Sequence, residues 1–365
     1  MNSKPRLGGV FYCQYSAKYF KGTCKFQLCI RGKNSKMNSI SNNWLRAFSK
    51  LTVLSTLFLI FAGALVKSHE VGLSVPDWPT TYGRQMFAFP LSDMVGGIFY
   101  EHGHRIVATI VGFFMMVQAI WLGFSYEPKW LKKLGYFALA TVILQGLFGG
   151  LTVLFFLPPP VSIIHGILAQ TFFIMTIVLA YGLSIERTKR IDKEWPKGFQ
   201  KGAIIIGGFI YIQLILGALM RHTGSGMAIP DFPTMGGVWI PTFSDDMIHN
   251  INAILFDLNL DMVSRNQVMI HFIHRFGAAV VTGAIGYYVF RYHSFLQQHQ
   301  LPNKTLWLMV IIVIVQVTLG AATVLSERSP YIASFHVVTG ALLLGSCTLF
   351  ILRTNPVKWM DWKIR

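Results

Sequence analysis

Four histidines and one glutamate stand out because they interrupt long apolar stretches. In "FYEHGHRIVATIVG" (residues 99–112), Glu101, His102, His104 and Arg105 crowd the start of a hydrophobic run, and "HFIHRFGAAVVTG" (271–283) repeats the pattern with His271, His274 and Arg275. His165 in "SIIHGILAQ" and His336 in "ASFHVVTGA" open two further runs. A polar side chain in such a run is costly in lipid, which makes it worth interpreting. A single membrane histidine ordinarily makes an interhelical hydrogen bond. Two matched pairs from alternate helices offer something else: opposed imidazoles, which hold a haem iron by both axial positions in a four-helix bundle. Zinc fits less well, since a closed zinc site wants four ligands and the HExxH spacing is missing.

The elements that must position these residues are membrane helices. Of the 365 residues, 53% are hydrophobic and 13% charged, and about 20 apolar residues cross a bilayer core as a helix. Eight such segments lie near 47–66, 97–124, 134–157, 161–184, 202–220, 267–290, 305–325 and 331–352. The fold class is therefore all-α integral membrane, and the absence of ten-residue alternation argues against a β-barrel. The net charge of +17 does not point to nucleic acid, because its distribution follows the segments. Twenty-five of the 32 Lys and Arg fall in residues 1–50, the alternate linkers 125–133, 185–201 and 291–304, and the tail 353–365. The positive-inside rule then places both termini in the cytoplasm or its equivalent.

The chain is internally repeated. "GLSVPDWPT" (72–80) returns as "GMAIPDFPT" (226–234), "HGHRIVATIVG" (102–112) as "FIHRFGAAVVTG" (272–283), and "QGLFGGLTVL" (145–154) as "QVTLGAATVL" (316–325). Eight helices thus form two parallel-repeat four-helix bundles, and each copy brings one histidine pair: His104 with His165, His274 with His336. On a helix Glu101, His104 and Arg105 share an arc of about 100°, as do His271, His274 and Arg275. The carboxylate is present only in the first copy. The half with an acid beside the macrocycle is the candidate for chemistry, and the other a structural or electron-transfer site. Arg105 and Arg275 are open to three roles: neutralising propionates, capping nearby carbonyls, or, for Arg105, pairing with Glu101. His102 reads as packing or as a supporting donor, and His271 has no assigned role. Gly103, Gly166, Gly277, Ala278, Gly340 and Ala341 are small residues that would let a flat macrocycle approach the backbone.

The chain divides into five regions. Residues 1–46 are a basic extension expected to be disordered, 47–184 the catalytic half, 185–201 a cytoplasmic linker, 202–352 the second half and 353–365 a cytoplasmic tail. The first 36 residues read either as an organelle transit peptide or as an extension ahead of a start at Met37. Cys13, Cys24 and Cys29 lie in this leader and Cys347 in the last segment, so no outward loop carries a disulfide pair. The Pro-Asp-aromatic-Pro loops read as rigid turns with the aromatic at the interface, set to roof the porphyrin pockets. The stretch "HNINAILFDLNLD" in the linker 221–265 suggests a short amphipathic helix over the second half.

Over roughly residues 47–352 the chain resembles the haem A synthase family, CtaA in bacteria and related to the mitochondrial Cox15 proteins. The likeness rests on the eight helices in two repeats, the "GLSVPDWP" loop, "EHGHR", "HFIHR" and the histidines of the fourth and eighth helices. It implies that His274 and His336 ligate a permanent haem b, that His104 and His165 flank a substrate haem O, and that Glu101 is essential. It further implies oxidation of the C8 methyl of haem O to an alcohol and then to a geminal diol that loses water to a formyl group, for cytochrome oxidase biogenesis. Some bacterial relatives carry a cysteine pair in the outward loops; this chain has none, which removes a thiol-based step. The lipid bilayer, a haem O synthase of the CtaB kind, an electron-transfer partner of unidentified kind and a homo-oligomer are the expected partners, with no nucleic acid. The expected location is the bacterial inner membrane or, with the leader as an import signal, the mitochondrial inner membrane. The rival reading is a non-enzymatic di-haem b-type cytochrome exchanging electrons with quinone, which needs paired histidines but no acid on one site.

Overall fold

A computed structural model describes residues 31–189 and 194–355, with the side chains of 31–42 and of Leu301 left aside. Ten helices are present among these residues: α1 (Arg31–Ser68), α2 (Gly97–Phe124), α3 (Lys129–Leu154), α4 (Pro159–Gly182), α5 (Ile185–Thr188), α6 (Phe199–His222), α7 (Asp245–Asp257), α8 (Arg265–Leu296), α9 (Gln300–Leu325) and α10 (Pro330–Thr354). All except α5 and α7 contain stretches long and apolar enough to cross a membrane. No strand occurs among the described residues, only the isolated bridges Thr81 to Arg84 and Met235 to Val238. Residues Met1–Asn42 and Asn43–Arg365 are separate units. All eight apolar stretches and all four paired histidines belong to the second.

Helix ends differ from the expected segments by a few residues, except at α1. α1 begins at Arg31, ahead of the apolar stretch that starts at Asn43, and no Pro or Gly interrupts the chain between Gly32 and Gly63. The leader cysteines, residues 190–193 of the linker and the tail from 356 lie outside the described residues. Cys347 is free and buried. The short amphipathic helix is α7. It buries Met247, Ile251 and Leu255, one per turn, against Met227, Ala228 and Ile229 of the preceding loop.

Lipid takes the place of water as solvent, so large apolar side chains such as Phe58, Phe113, Phe137, Ile212 and Ile311 lie exposed on the outside. The interior is correspondingly thin. Only 17–33% of the apolar window of most spanning helices is inside the protein, against 50% for α10. Small residues make that placement of α10 feasible: Phe173 and Ile177 of α4 pack directly on Gly345. α10 also touches α6 and α9, and α4 touches α6. Polar links reinforce the contact between the first and last four spanning helices. Thr171 and Tyr211 share a hydrogen bond of 2.7 Å, and at the opposite end from the histidines Arg353 grips Glu186 through Nε and Nη2 at 2.8 and 2.9 Å.

Candidate functional site

All four histidines of the two pairs stand near one end of their helices, and each rests on a glycine of a neighbouring helix. A Cβ on Gly63 would lie 2.9 Å from the His104 ring, on Gly149 3.3 Å from His165, on Gly217 3.1 Å from His274 and on Gly320 3.0 Å from His336. Any larger residue would push the imidazole away. Of the small residues beside the histidines, Gly103 borders open space, with nothing within 4 Å of a Cβ built on it, and Gly166 faces Ala218 at 3.9 Å. Each imidazole is enclosed by protein yet retains accessible surface, so the surface it exposes borders interior space.

The rings of His274 and His336 are 6.4 Å apart between centres. A metal–imidazole bond is about 2 Å long and the ring centre lies roughly another ångström beyond, so two imidazoles on one ion would stand ~6 Å apart. Both rings are oriented by glutamines. Gln213 Nε2 donates to the His274 carbonyl at 2.8 Å and approaches its Nδ1 at 3.2 Å. His336 Nδ1 donates to the Gln316 carbonyl at 3.1 Å, while Gln316 Nε2 lies 3.4 Å from its Nε2. A histidine whose Nδ1–H is held by a carbonyl presents Nε2 to a metal. In the first pair Gln145 Nε2 donates to the His165 carbonyl at 2.8 Å, as Gln213 does to that of His274, while the Nδ1 atoms of His104 and His165 are buried without a partner, a costly state for a polar atom. Among the described residues no three His, Cys, Asp or Glu side chains gather as a metal site. The donor set is thus two imidazoles per half, which suits an iron whose remaining ligands come from a macrocycle.

The arginines are engaged by the Pro-Asp-aromatic-Pro loops. Arg105 Nη1 donates to the carbonyls of Asp77 (2.6 Å) and Thr80 (3.1 Å), and Nη2 to Val75 O (2.6 Å) and Glu101 Oε1 (2.7 Å). Arg275 makes the matching set with Asp231, Thr234 and Ile229 at 2.8, 3.1 and 2.9 Å. Of the roles open to them, carbonyl capping is filled by both and the acid pair by Arg105, whose two Nη atoms are taken up by the loop and Glu101. Glu101 is 3% exposed, and its Oε2 accepts from Val75 N–H at 2.8 Å. His271 takes that place in the second half, near Ile229 N (3.3 Å) and Arg275 Nε (3.0 Å). A neutral imidazole accepts at one nitrogen only, so one of these contacts is a hydrogen bond and the other a close approach. His102 is a supporting group, 3.0 Å from Thr81 Oγ1 and packed on Phe89.

The loops so clamped are rigid turns, as their sequence suggests. Asp77 accepts from Thr80 Oγ1 (2.5 Å), Tyr82 N (2.8 Å) and Gly83 N (2.9 Å); Asp231 accepts from Thr234 Oγ1 (2.6 Å), Gly236 N (2.6 Å) and Gly237 N (3.0 Å). Burial opposes the charge of both carboxylates, and these hydrogen bonds outweigh it and hold them below the ordinary range. Trp78 lies against Gly150, next to the glycine that meets His165, so the loop reaches the edge of the first site.

Spanning helices with paired imidazoles facing interior space define a class, the polytopic membrane proteins with bis-histidine sites. Residues 46–348 match the COX15-CtaA family of cytochrome oxidase assembly proteins, and the chain belongs to that family. It is similar to the heme A synthases of Halalkalibacterium halodurans (24% identical over 316 residues, 84% of this chain and 96% of the relative) and Geobacillus kaustophilus (25% over 335 residues, 87% and 95%). The heme A synthase of Shewanella oneidensis is 26% identical over 328 residues, 85% of this chain and 95% of the relative.

Proposed function

We propose that this chain is a haem A synthase, an oxidoreductase that converts the C8 methyl of haem O to a formyl group through the alcohol, in support of cytochrome oxidase assembly. The observation that carries this reading is the presence, inside the span that matches the family, of two histidine pairs of which only the first has a carboxylate beside it. In this reading His274 and His336 hold a resident haem b, which supplies electron transfer when bound, and His104 and His165 receive haem O. Gln213, which reaches His274 and has only Leu59 as its counterpart in the first half, favours a fixed occupant in the second.

Glu101 is the residue proposed for the chemistry. The second half shows that the loop clamp works with a neutral acceptor, His271, so the negative charge of Glu101 is not required by the architecture. A buried carboxylate three residues from His104 can stabilise positive charge that develops on the ring or take a proton from the oxidised carbon. Arg105 holds it in place. Haem O is apolar and enters from the bilayer or from a haem O synthase.

The test is the haem complement of the purified protein. Haem b together with haem O or haem A supports the synthase; haem b alone in both halves makes it an electron-transfer cytochrome. The same reading puts both termini inside, with the two halves as parallel repeats. Compartment-sensitive tags are expected to report residues 80–90 and 235–245 outside, and 190–198 and the C-terminus inside. One tag on the wrong face sinks the parallel arrangement.

A further inference from the structure

One set of charges belongs to neither the clamps nor the histidine pairs. Lys67 and Arg221 stand at equivalent places in the two halves, each four residues beyond the glycine that meets a ligand histidine: Gly63 with His104, Gly217 with His274. Four residues is about one helical turn, so each cation lies on the same helix face as that glycine and ~6 Å further toward the outward end. The two come together at the junction of the halves. Arg221 Nη2 crosses to α1, donating to Ala64 O at 2.6 Å and Ser68 Oγ at 2.9 Å, which leaves its Nε and Nη1 unengaged among the described residues. Lys67, beside Ser68, makes no hydrogen bond or ion pair among them. Each lies within electrostatic reach of the other, and Arg221 within reach of His336.

This charge is not neutralised. The acid facing Lys67 is Glu70, which pairs with Arg328 at 3.0 Å, and His222 lies within electrostatic reach of Arg221, Lys67 and His165. Two cations held together in this way repel one another, and the buried Arg221 has given up hydration that Glu70, which faces Lys67 and is paired with Arg328, does not replace. The arrangement is favourable only when a negative group completes it. The position restricts the candidates: one turn outward of each histidine-facing glycine, close to both pairs, on the side where polar groups reach water.

We propose that Lys67 and Arg221 form a carboxylate site at the junction of the halves, taking the propionates of the iron porphyrins held by the two histidine pairs. This rests on the proposed porphyrin occupancy of those pairs. It also gives the propionates a partner that Arg105 and Arg275, bound to loop carbonyls, do not provide.

Full-length protein made under haem limitation and purified in detergent can be titrated with iron protoporphyrin IX and with its dimethyl ester, following the low-spin absorption band. The ester keeps the iron and ring and lacks both charges. Wild type is expected to bind the free acid about tenfold or more tighter than the ester, the weight of a lost charge-assisted hydrogen bond. Lys67→Gln together with Arg221→Gln is expected to erase that preference while still binding the ester, and Arg221→Lys to keep most of it. Redox titration of the bound iron in the double variant is expected to give a more negative midpoint, since removing positive charge disfavours the reduced state. Equal binding of acid and ester by wild type, or an unchanged preference in the double variant, overturns the proposal; the cations then serve a lipid headgroup or the fold. Failure of wild type to bind either porphyrin overturns the two-haem reading itself, and this site with it.

Discussion

The first and second halves clamp the same loop onto the same helix with different chemistry. Val75 N, Glu101 and Arg105 in one correspond to Ile229 N, His271 and Arg275 in the other, and the arginines bind the same three carbonyls. The carboxylate accepts both the backbone N–H and the guanidinium; the imidazole can accept only one of them. A second difference lies on the helix behind the histidine. Four residues before Gly217 stands Gln213, bonded to His274, and four residues before Gly63 stands Leu59. One half therefore has the charge, and the other a neutral clamp and a pair held by one more glutamine, since Gln145 at His165 and Gln316 at His336 are common to both. Architecture asks for an acceptor and a glycine window in both; the charge and Gln213 are the parts that diverged.

The largest effect is expected from removing a ligand of the held pair. His274→Leu or His336→Leu should abolish the low-spin haem b spectrum, whereas His165→Leu should leave it; an unchanged spectrum in the first two variants would break the assignment of a resident haem to the second half. Next comes the exchange of clamps. Glu101→His copies the second half into the first, and Glu101→Gln removes only the charge. Both should keep haem b within twofold while haem A formation falls by about a hundredfold or more, the range of a lost general acid or base, with haem O or its alcohol accumulating in extracts. Near-normal haem A at normal protein level would show that the acid is only a clamp.

Arg105→Gln and Arg275→Gln sharpen the comparison at the level of stability. Each removes a guanidinium from several buried carbonyls, and the first also strands Glu101. Arg105→Gln is expected to cost about 3–5 kcal/mol and Arg275→Gln less, since the acid left unpaired is the expensive part. Thermal unfolding in detergent would show the order, and equal losses would mean that the ion pair contributes little. The smallest change is Gln213→Leu, which gives His274 the surroundings of His104. Loss of one neutral hydrogen bond is worth ~1 kcal/mol, so haem b should leave about fivefold faster in a transfer assay to apomyoglobin, without loss of fold.

Helix number, the repeat and the four histidines were legible because each is a property of one helix at a time: an apolar stretch, a motif, a polar residue inside it. The Pro-Asp-aromatic-Pro turns were legible for the same reason, with Asp77 and Asp231 capping backbone only three to six residues away. What escaped depends on how neighbouring helices face each other. Gly63, Gly149, Gly217 and Gly320 look like any membrane glycines until the rotation of two helices is known, whereas Gly103 and Gly166 adjoin a histidine in the sequence. Lys67 and Arg221 read as topology charges because their convergence requires α1 and α6 to meet. The arginine bonds to carbonyls 25–30 residues away likewise need the loop to fold back on the helix.

The clamps have a consequence for biogenesis. Arg105 joins groups no more than 30 residues apart, so the first loop can lock onto α2 as soon as that helix has left the insertion machinery. The ties between halves are of another order: Arg221 to Ser68 spans 153 residues and Ser334 to Ser68 spans 266. Because closing a chain over such lengths waits for synthesis and is the slower event, α10, the helix with the largest share of its surface inside, arrives last. Until it does, Phe173 of α4 lacks the glycine against which it packs, and the second histidine pair lacks His336. The nascent chain thus completes its second histidine pair only in the final step of insertion, which, on the proposed reading of that pair, makes iron porphyrin capture a late checkpoint on the inserted polypeptide.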